Sequence, residues 1–255
     1  MSIKIFNESV AIVTGAGQGI GFEICRQLAL QGAAVLLNDM DEALTEQAVN
    51  KIKGEGGTCM GMIGDASDVV FIQQMVDTAV SRFGKLNIVI ANAGITLFAD
   101  FFDYTPEAFS KVMQLNLAGS FFLAQFAAAQ MKEQQKGGSV LFMSSVVGHQ
   151  AHKNLAAYAI TKAGLEMLAK NLVVELSPYN INVNAIAPGA TLTERTLHDT
   201  AYEKTWSRIT PMGRPATTAD IANAALFMVA PASRHITGQS LVIDGGWTSV
   251  SPSPY

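Results

Sequence analysis

Residues 10–21 read Val10-Ala-Ile-Val-Thr-Gly-Ala-Gly-Gln-Gly-Ile-Gly21. A short, largely β-branched apolar run that ends in glycines predicts a strand buried on both faces. The residues that follow, 19–31, place Ile20, Ile24, Leu28 and Leu30 on a helical stripe, and Gly32 fits its stop. Glycines at such a strand-to-helix turn let the backbone approach a pyrophosphate, and the helix start offers free N–H groups and a positive dipole end. The spacing Gly15-x3-Gly19-x-Gly21 differs from the common G-x-G-x-x-G pattern. A plain strand–turn–helix also uses glycine, so the loop needs its context.

That context is regular alternation. Further strands are predicted over 33–38, 59–63, 86–91, 138–143, 181–187 and 240–243, and helices over 41–53, 69–82, 106–134, 156–175 and 217–228. Strands separated by helices imply right-handed crossovers and a parallel sheet. The expectation is one α/β domain over 1–255, a doubly wound Rossmann sheet of about seven strands with helices on both faces. Residues 190–214 break the rhythm at the carboxyl edge, where ligands bind in such sheets, and are a candidate substrate lid. Residues 251–255, with two prolines, read as a terminal extension.

Composition narrows the classes. The 255 residues are 49% hydrophobic and 15% charged with net charge −4, which argues against nucleic acid and against anionic membrane surfaces as partners. Two cysteines, Cys25 and Cys59, are too few for a disulfide framework and read as buried thiols of a reducing, cytoplasmic setting. The N-terminus carries Lys4 and Glu8 and does not read as a signal peptide. Residues 112–131 lack charge and have the length of a membrane span. They include Gln114, Asn116, Ser120, Gln125 and Gln130, which fit a covered soluble helix better.

Asp39 lies eighteen residues after Gly21, at the end of the second strand. A carboxylate there accepts from ribose hydroxyls and repels a 2′-phosphate. With neutral Gln18 in the glycine loop and no adjacent cation, this favours NAD over NADP. The other reading is that Asp39 caps the next helix, a role for which Asp41 is also available.

Four more segments complete a pattern: Asn92-Ala-Gly94, Asn116, Ser144-Ser145 and Tyr158-Ala-Ile-Thr-Lys162, with Pro188-Gly189, Thr193 and Asp244-Gly245-Gly246 downstream. Over about residues 9–247 the chain resembles the short-chain dehydrogenase/reductase family in its short form. It departs by having Ala91 where the family has a second Asn before Ala-Gly. The residues support the same chemistry. Tyr158 and Lys162, four apart, share one helix face. An ammonium beside a phenol is expected to lower a pKa that is ordinarily about 10. Tyr158 then serves as general acid or base, and Ser145 holds the substrate oxygen. The resemblance implies that Lys162 also bonds the nicotinamide ribose and that Asn116 holds a water relaying the proton. Asn116 also reads as a satisfied core amide.

The cofactor set expected on these grounds is Gly15, Gln18, Gly19, Ile20, Asp39, Asp65, Ala66, Asn92, Gly94, Tyr158, Lys162, Pro188, Gly189 and Thr193. Within it, the resemblance puts Asp65 at the adenine amine, although a helix cap shared with Asp68 is an alternative. Substrate contacts are expected from Thr96, Ser145, Val147, His149, His152, Tyr158 and the lid around Trp206. Neither histidine has a second ligand at metal spacing, so no metal is expected. Arg195 and Arg208 in the lid leave a carboxylate clamp open. The expected activity is interconversion of a secondary alcohol and a carbonyl with NAD(H), on a sugar, polyol or other small hydroxy compound. A 3-oxoacyl thioester is the second choice. A non-catalytic NAD-sensing protein is the reading from another class, disfavoured because a sensor does not need the proton-transfer set. Apolar residues on more than one face of 112–131 and 156–176 predict a homotetramer.

Overall fold

In the computed structural model, which describes residues 4–251, strand β1 (Val10–Val13) is buried throughout and divides its side chains between two cores. Ala11 and Val13 face one layer while Val10 and Ile12 face the other, as the two-residue period of a strand requires. The elements that follow are α1 (Gly19–Leu30), β2 (Ala34–Asp39), α2 (Glu42–Gly54), β3 (Thr58–Ile63), α3 (Val69–Phe83) and β4 (Ile88–Ala91). After them come α4 (Pro106–Val112), a π-helical segment (Met113–Gly119) and α5 (Ser120–Gln134), then β5 (Gly138–Met143), α6 (Ala156–Leu176) and β6 (Ile181–Pro188). The chain continues through β7 (Thr191–Leu192), α7 (Tyr202–Ile209), β8 (Ala216–Thr217), α8 (Thr218–Val229) and β9 (Ser240–Ile243).

Seven strands form one parallel sheet in the order β3-β2-β1-β4-β5-β6-β9. Helices α1, α2 and α8 cover one face, with Ile24, Leu28, Ile52 and Leu226 in its core. Helices α3, α5 and α6 cover the other, around Ile72, Met75, Leu123, Phe142 and Leu165. The sheet is the expected doubly wound one. Its strand order reverses between β1 and β4, where Val13 stands level with Leu37 on one side and Ile90 on the other. That switch point, at the carboxyl ends of the strands, is where a crevice opens.

Local chemistry fixes the ends. Asp41 caps α2 by accepting from Leu44 N (2.9 Å), and Asp68 caps α3 through Val70 N (2.8 Å). Gly84 ends α3 in the left-handed region (φ 80°). Thr217 and Asp220 form a reciprocal capping box on α8. The single long helix expected over 106–134 is interrupted by the π segment that carries Asn116. This helix is long and apolar enough to cross a membrane, yet Leu123, Ala124, Ala127, Ala128 and Met131 are buried against the sheet. The 190–214 segment is not structureless. β7 pairs with β8, Thr191 opposite Ala216, so its two ends are tied together below α7. Of the expected extension, residues 252–255 lie outside the described residues.

Candidate active site

A cleft of about 280 Å³ runs along the carboxyl ends of β1, β4, β5 and β6. Its floor is the glycine loop. Gly15 sits at φ +60°, and a Cβ there would fall 2.7 Å from Ala93 Cα. At Gly21 a Cβ would fall 2.5 Å from Asn92 Nδ2. The same Asn92 amide donates to the carbonyls of Thr14 and Gly15, 2.8 Å each, stitching β4 to the loop. Gln18 precedes α1 without a side-chain cap, leaving the first-turn N–H groups open to the cleft. A cradle of this kind, with no room for a Cβ and free amides at a helix start, fits a dinucleotide pyrophosphate.

Asp39 lines the far end. Its Oδ2 accepts from Gly17 N (2.9 Å) and its Oδ1 from Asp41 N (3.2 Å), while Asp41 does the capping. Asp65 and Ala66 do not line the cleft. Asp65 accepts from Ser67 N (2.8 Å) in the turn before α3, and the Ala66 carbonyl packs against Gly119. Gly19, Ile20, Gly94, Pro188, Gly189 and Thr193 all line it.

Ser145, Tyr158 and Lys162 meet on one wall. Ser145 follows β5 in extended conformation. Lys162 is 3% exposed, and its Nζ donates to the Met143 carbonyl (2.6 Å) and lies 5.3 Å from the centre of the Tyr158 ring. Burial lowers the Lys162 pKa to about 8. Burial also raises the Tyr158 phenol above its ordinary value, while the hydroxyls of Thr96 and Ser145 and the charge of Arg195 pull the other way. The net direction therefore corrects the expected lowering: desolvation of the phenol exceeds the help its neighbours give.

Asn116 is fully buried behind this wall. Its Oδ1 accepts from Ile95 N, and its Nδ2 donates to Ile95 O, each at 2.9 Å, and to Thr161 Oγ1 at 3.3 Å. Thr161 in turn donates to the Tyr158 carbonyl (2.7 Å). The amide is thus a satisfied core group that ties the segment after β4 to the tyrosine helix.

Of the expected substrate contacts, Thr96, Ser145 and Tyr158 line the cleft, and four others do not. Val147 is buried. His149 points to α6, with Nε2 3.0 Å from Glu166 Oε1. His152 lies against Trp247, ring centroids 5.1 Å apart and planes tilted by 43°, and borders a neighbouring cavity with Tyr104 and Ile160. Trp206 packs on Trp247. The lid residues that do line the cleft are Thr191, Thr193, Glu194, Arg195 and Tyr202. Sequence reasoning also missed Glu166, which accepts from Ser144 Oγ (2.6 Å) and so anchors the loop bearing Ser145 to α6. Its position four residues after Lys162 on one helix face was the available signal.

A family model described as enoyl-(acyl carrier protein) reductase matches residues 15–248. The L-rhamnose 1-dehydrogenase (NAD(P)(+)) of Azotobacter vinelandii is 35% identical over 94% of this chain and 96% of its own. The chain belongs to the short-chain dehydrogenase/reductase family. It is also similar to a solved 7α-hydroxysteroid dehydrogenase, in complex with NADH and 7-oxo glycochenodeoxycholic acid, at TM-score 0.91 and 33% identity over 96% of both chains. A gluconate 5-dehydrogenase of Burkholderia cenocepacia, in complex with NADP and tartrate, aligns with TM-score 0.90 and 30% identity over 98% of both. As a member of this family the protein is an oxidoreductase acting on CH–OH groups, and such dehydrogenases use nicotinamide cofactors.

Proposed function

We propose that this family member is an NAD(H)-dependent dehydrogenase/reductase in which Tyr158 is the general acid/base, Lys162 holds positive charge beside it and Ser145 stabilises the substrate oxygen. One observation carries the reading. Ser145, Tyr158 and Lys162 form one wall of a cleft whose floor is the glycine loop and whose far end is Asp39. When bound, the nicotinamide supplies or accepts the hydride. Tyr158 then gives the proton to a carbonyl or takes it from an alcohol, and the Ser145 hydroxyl steadies the charge that develops on that oxygen. Both N–H groups of the Asn116 amide are engaged, so a water relay there would use an oxygen: Oδ1, which accepts from Ile95 N (2.9 Å), or the main-chain carbonyl, which accepts from Ser120 Oγ (2.8 Å).

Asp39 supports NAD over NADP, because a 2′-phosphate would meet a carboxylate already held by two main-chain amides. A sugar, polyol or other small hydroxy compound suits the polar walls set by Thr96, Ser145 and Tyr202, and relatives named for rhamnose and gluconate point the same way. Residues 190–214 serve as the lid. A homotetramer is supported by apolar side chains left exposed on α6, and a reducing, cytoplasmic setting by two buried free thiols.

The test is Tyr158→Phe, which keeps the ring and removes the proton. Turnover should fall by roughly 10²- to 10⁴-fold, the usual worth of general acid–base catalysis, while NADH binding by fluorescence is retained. Retention of more than about a tenth of the wild-type kcat would overturn the role.

A further inference from the structure

Four charged side chains line the cleft: Asp39, Lys162, Glu194 and Arg195. The first two are held by protein partners. Asp39 is held by the amides of Gly17 and Asp41. Lys162 donates to Met143 O beside the Tyr158 ring. The Glu194 carboxylate lies over the glycine loop, 3.6 Å from where a Cβ of Gly19 would stand. Among the described residues, neither Glu194 nor Arg195 has an ion-pair partner or a side-chain hydrogen bond, and Arg195 is the one cation lining the cleft without a protein acceptor.

The backbone that carries it is fixed. Thr193 N donates to Thr196 Oγ1 (2.9 Å), and Thr196 N and Leu197 N both donate to Thr193 O (3.0 and 3.2 Å). Just upstream, β7 is paired with β8. A guanidinium offers five N–H donors in a rigid fork that matches a planar oxyanion, and it stays charged at any working pH. Here that fork opens into the cleft that also holds Ser145 and Tyr158, and its charge is felt at the Tyr158 phenol. The guanidinium is exposed and engages no protein acceptor among the described residues, which leaves its fork available to a ligand anion in the cleft.

We propose that Arg195 receives the carboxylate of the substrate, so that the enzyme works on a hydroxy acid and its oxo acid rather than on a neutral alcohol. The inference rests on the oxidoreductase reading of the cleft and narrows its substrate class. A carboxylate fits better than a phosphate. One fork supplies one bidentate pair, and the neighbouring Glu194 carboxylate opposes a dianion. In the oxidative direction the carbinol carbon loses a hydride to the oxidised nicotinamide and the hydroxyl loses its proton to Tyr158. The carboxylate on Arg195 passes through unchanged, so atoms and charge balance as hydroxy acid to oxo acid. The other anion that could reach the fork is the cofactor's pyrophosphate, since the glycine loop lines the same cleft.

Arg195→Ala and Arg195→Lys separate these sources. The readouts are NADH binding by fluorescence, kcat/KM for lactate, 3-hydroxybutyrate and gluconate against their primary amides, and calorimetric titration of tartrate onto the NADH-bound protein. The expected result is a wild-type preference for acids over amides that Arg195→Ala removes, with acid kcat/KM falling roughly ten- to hundred-fold, as for loss of a hydrogen bond to a charged group. Tartrate heat should vanish, NADH affinity should hold, and Arg195→Lys should fall between. A loss of NADH affinity in Arg195→Ala with acids and amides falling alike would assign Arg195 to the pyrophosphate and overturn the inference. So would a wild-type enzyme indifferent to acid against amide, or tartrate binding that survives the substitution. Failure of the oxidoreductase reading looks different: no acid, amide or neutral alcohol reacts, while the titration still reports on Arg195.

Discussion

Trp206 of the lid helix and Trp247 beside the C-terminal glycine pair meet edge to face, with ring centroids 5.2 Å apart and planes at 81°. Trp247 is itself held. Asp244 accepts from Gly246 N (2.8 Å), Thr248 N (2.7 Å) and Thr248 Oγ1 (2.6 Å), and the His152 ring lies against the Trp247 indole at a tilt of 43°. The lid helix is therefore held to the body by this aromatic pair, beside the main-chain bond from Met212 N to Gly245 O (3.1 Å). Such a pair is worth about 0.5–1.5 kcal/mol beyond the area it buries. Trp206→Ala should speed limited proteolysis within 193–215 by roughly two- to ten-fold and raise KM more than it lowers kcat. Cleavage at the wild-type rate would show that the pair does not hold the lid.

Asp39 is the test of cofactor choice. The wild type should favour NAD(H), and Asp39→Ala should lower the ratio of kcat/KM for NAD(H) over NADP(H) by roughly ten- to hundred-fold, as for loss of a charged hydrogen-bond acceptor. Because Asp39 also accepts from Gly17 and Asp41, Asp39→Asn is the control. It keeps one acceptor oxygen for the Gly17 N–H, removes the charge and gives up the weaker bond from Asp41 N. A wild type that prefers NADP(H) would overturn the assignment.

The parts legible in the sequence were those written in local pattern. The run from Val10 to Val13 announces a central strand because each residue is apolar and the turn after it is glycine. Asp41 could be offered as the cap of α2, leaving Asp39 to the cleft, because capping follows spacing. Ser145, Tyr158 and Lys162 converge because a parallel sheet returns every carboxyl end to one edge. What stayed hidden depends on side chains meeting across the fold. His149 sits near Ser145 in sequence yet turns away to Glu166. Trp206 and His152 converge on Trp247, almost a hundred residues from His152, instead of on the substrate cleft. The π segment at Asn116 leaves no mark in an apolar helical pattern, since both helix types bury the same residues.

Lys162 carries a stability signature with a definite sign. Its pKa is lowered to about 8 by burial, against about 10.4 for an unfolded chain. Below pH 8 the lysine is charged in both states, and the folded state bears the whole desolvation cost. Between pH 8 and about 10.4 the unfolded chain binds more protons than the folded one, so this group makes stability rise with pH. Cys25 and Cys59, whose thiols burial raises, act in the opposite sense, so the comparison must be a difference. Denaturant unfolding of wild type and Lys162→Met at pH 7 to 10 should show wild type gaining on the variant as pH rises, by on the order of 3 kcal/mol at most. A constant difference across that range would mean that Lys162 titrates normally.

Helix α6 leaves Ile160, Met167 and Val174 exposed at 53%, 57% and 80%. They are seven residues apart, so they lie along one stripe that drifts only about 20° per heptad. The opposite side of the helix is already committed, with Leu165 and Ala169 in the sheet core. Phe121 on α5 and Phe109 on α4 add exposed rings, and the groove between α5 and α6 is walled by Leu168, Leu172 and Ala128. A two-fold axis along this stripe would set α6 against its copy, and a second two-fold would give the tetramer. Light scattering at micromolar concentration should report four times the 27.1 kDa chain mass. Met167→Glu, at the middle of the stripe, places a carboxylate against its own symmetry mate and should shift the mass down, while circular dichroism stays that of the wild type. A wild-type mass near that of one chain would show that the stripe is left to solvent and that no assembly forms through α6.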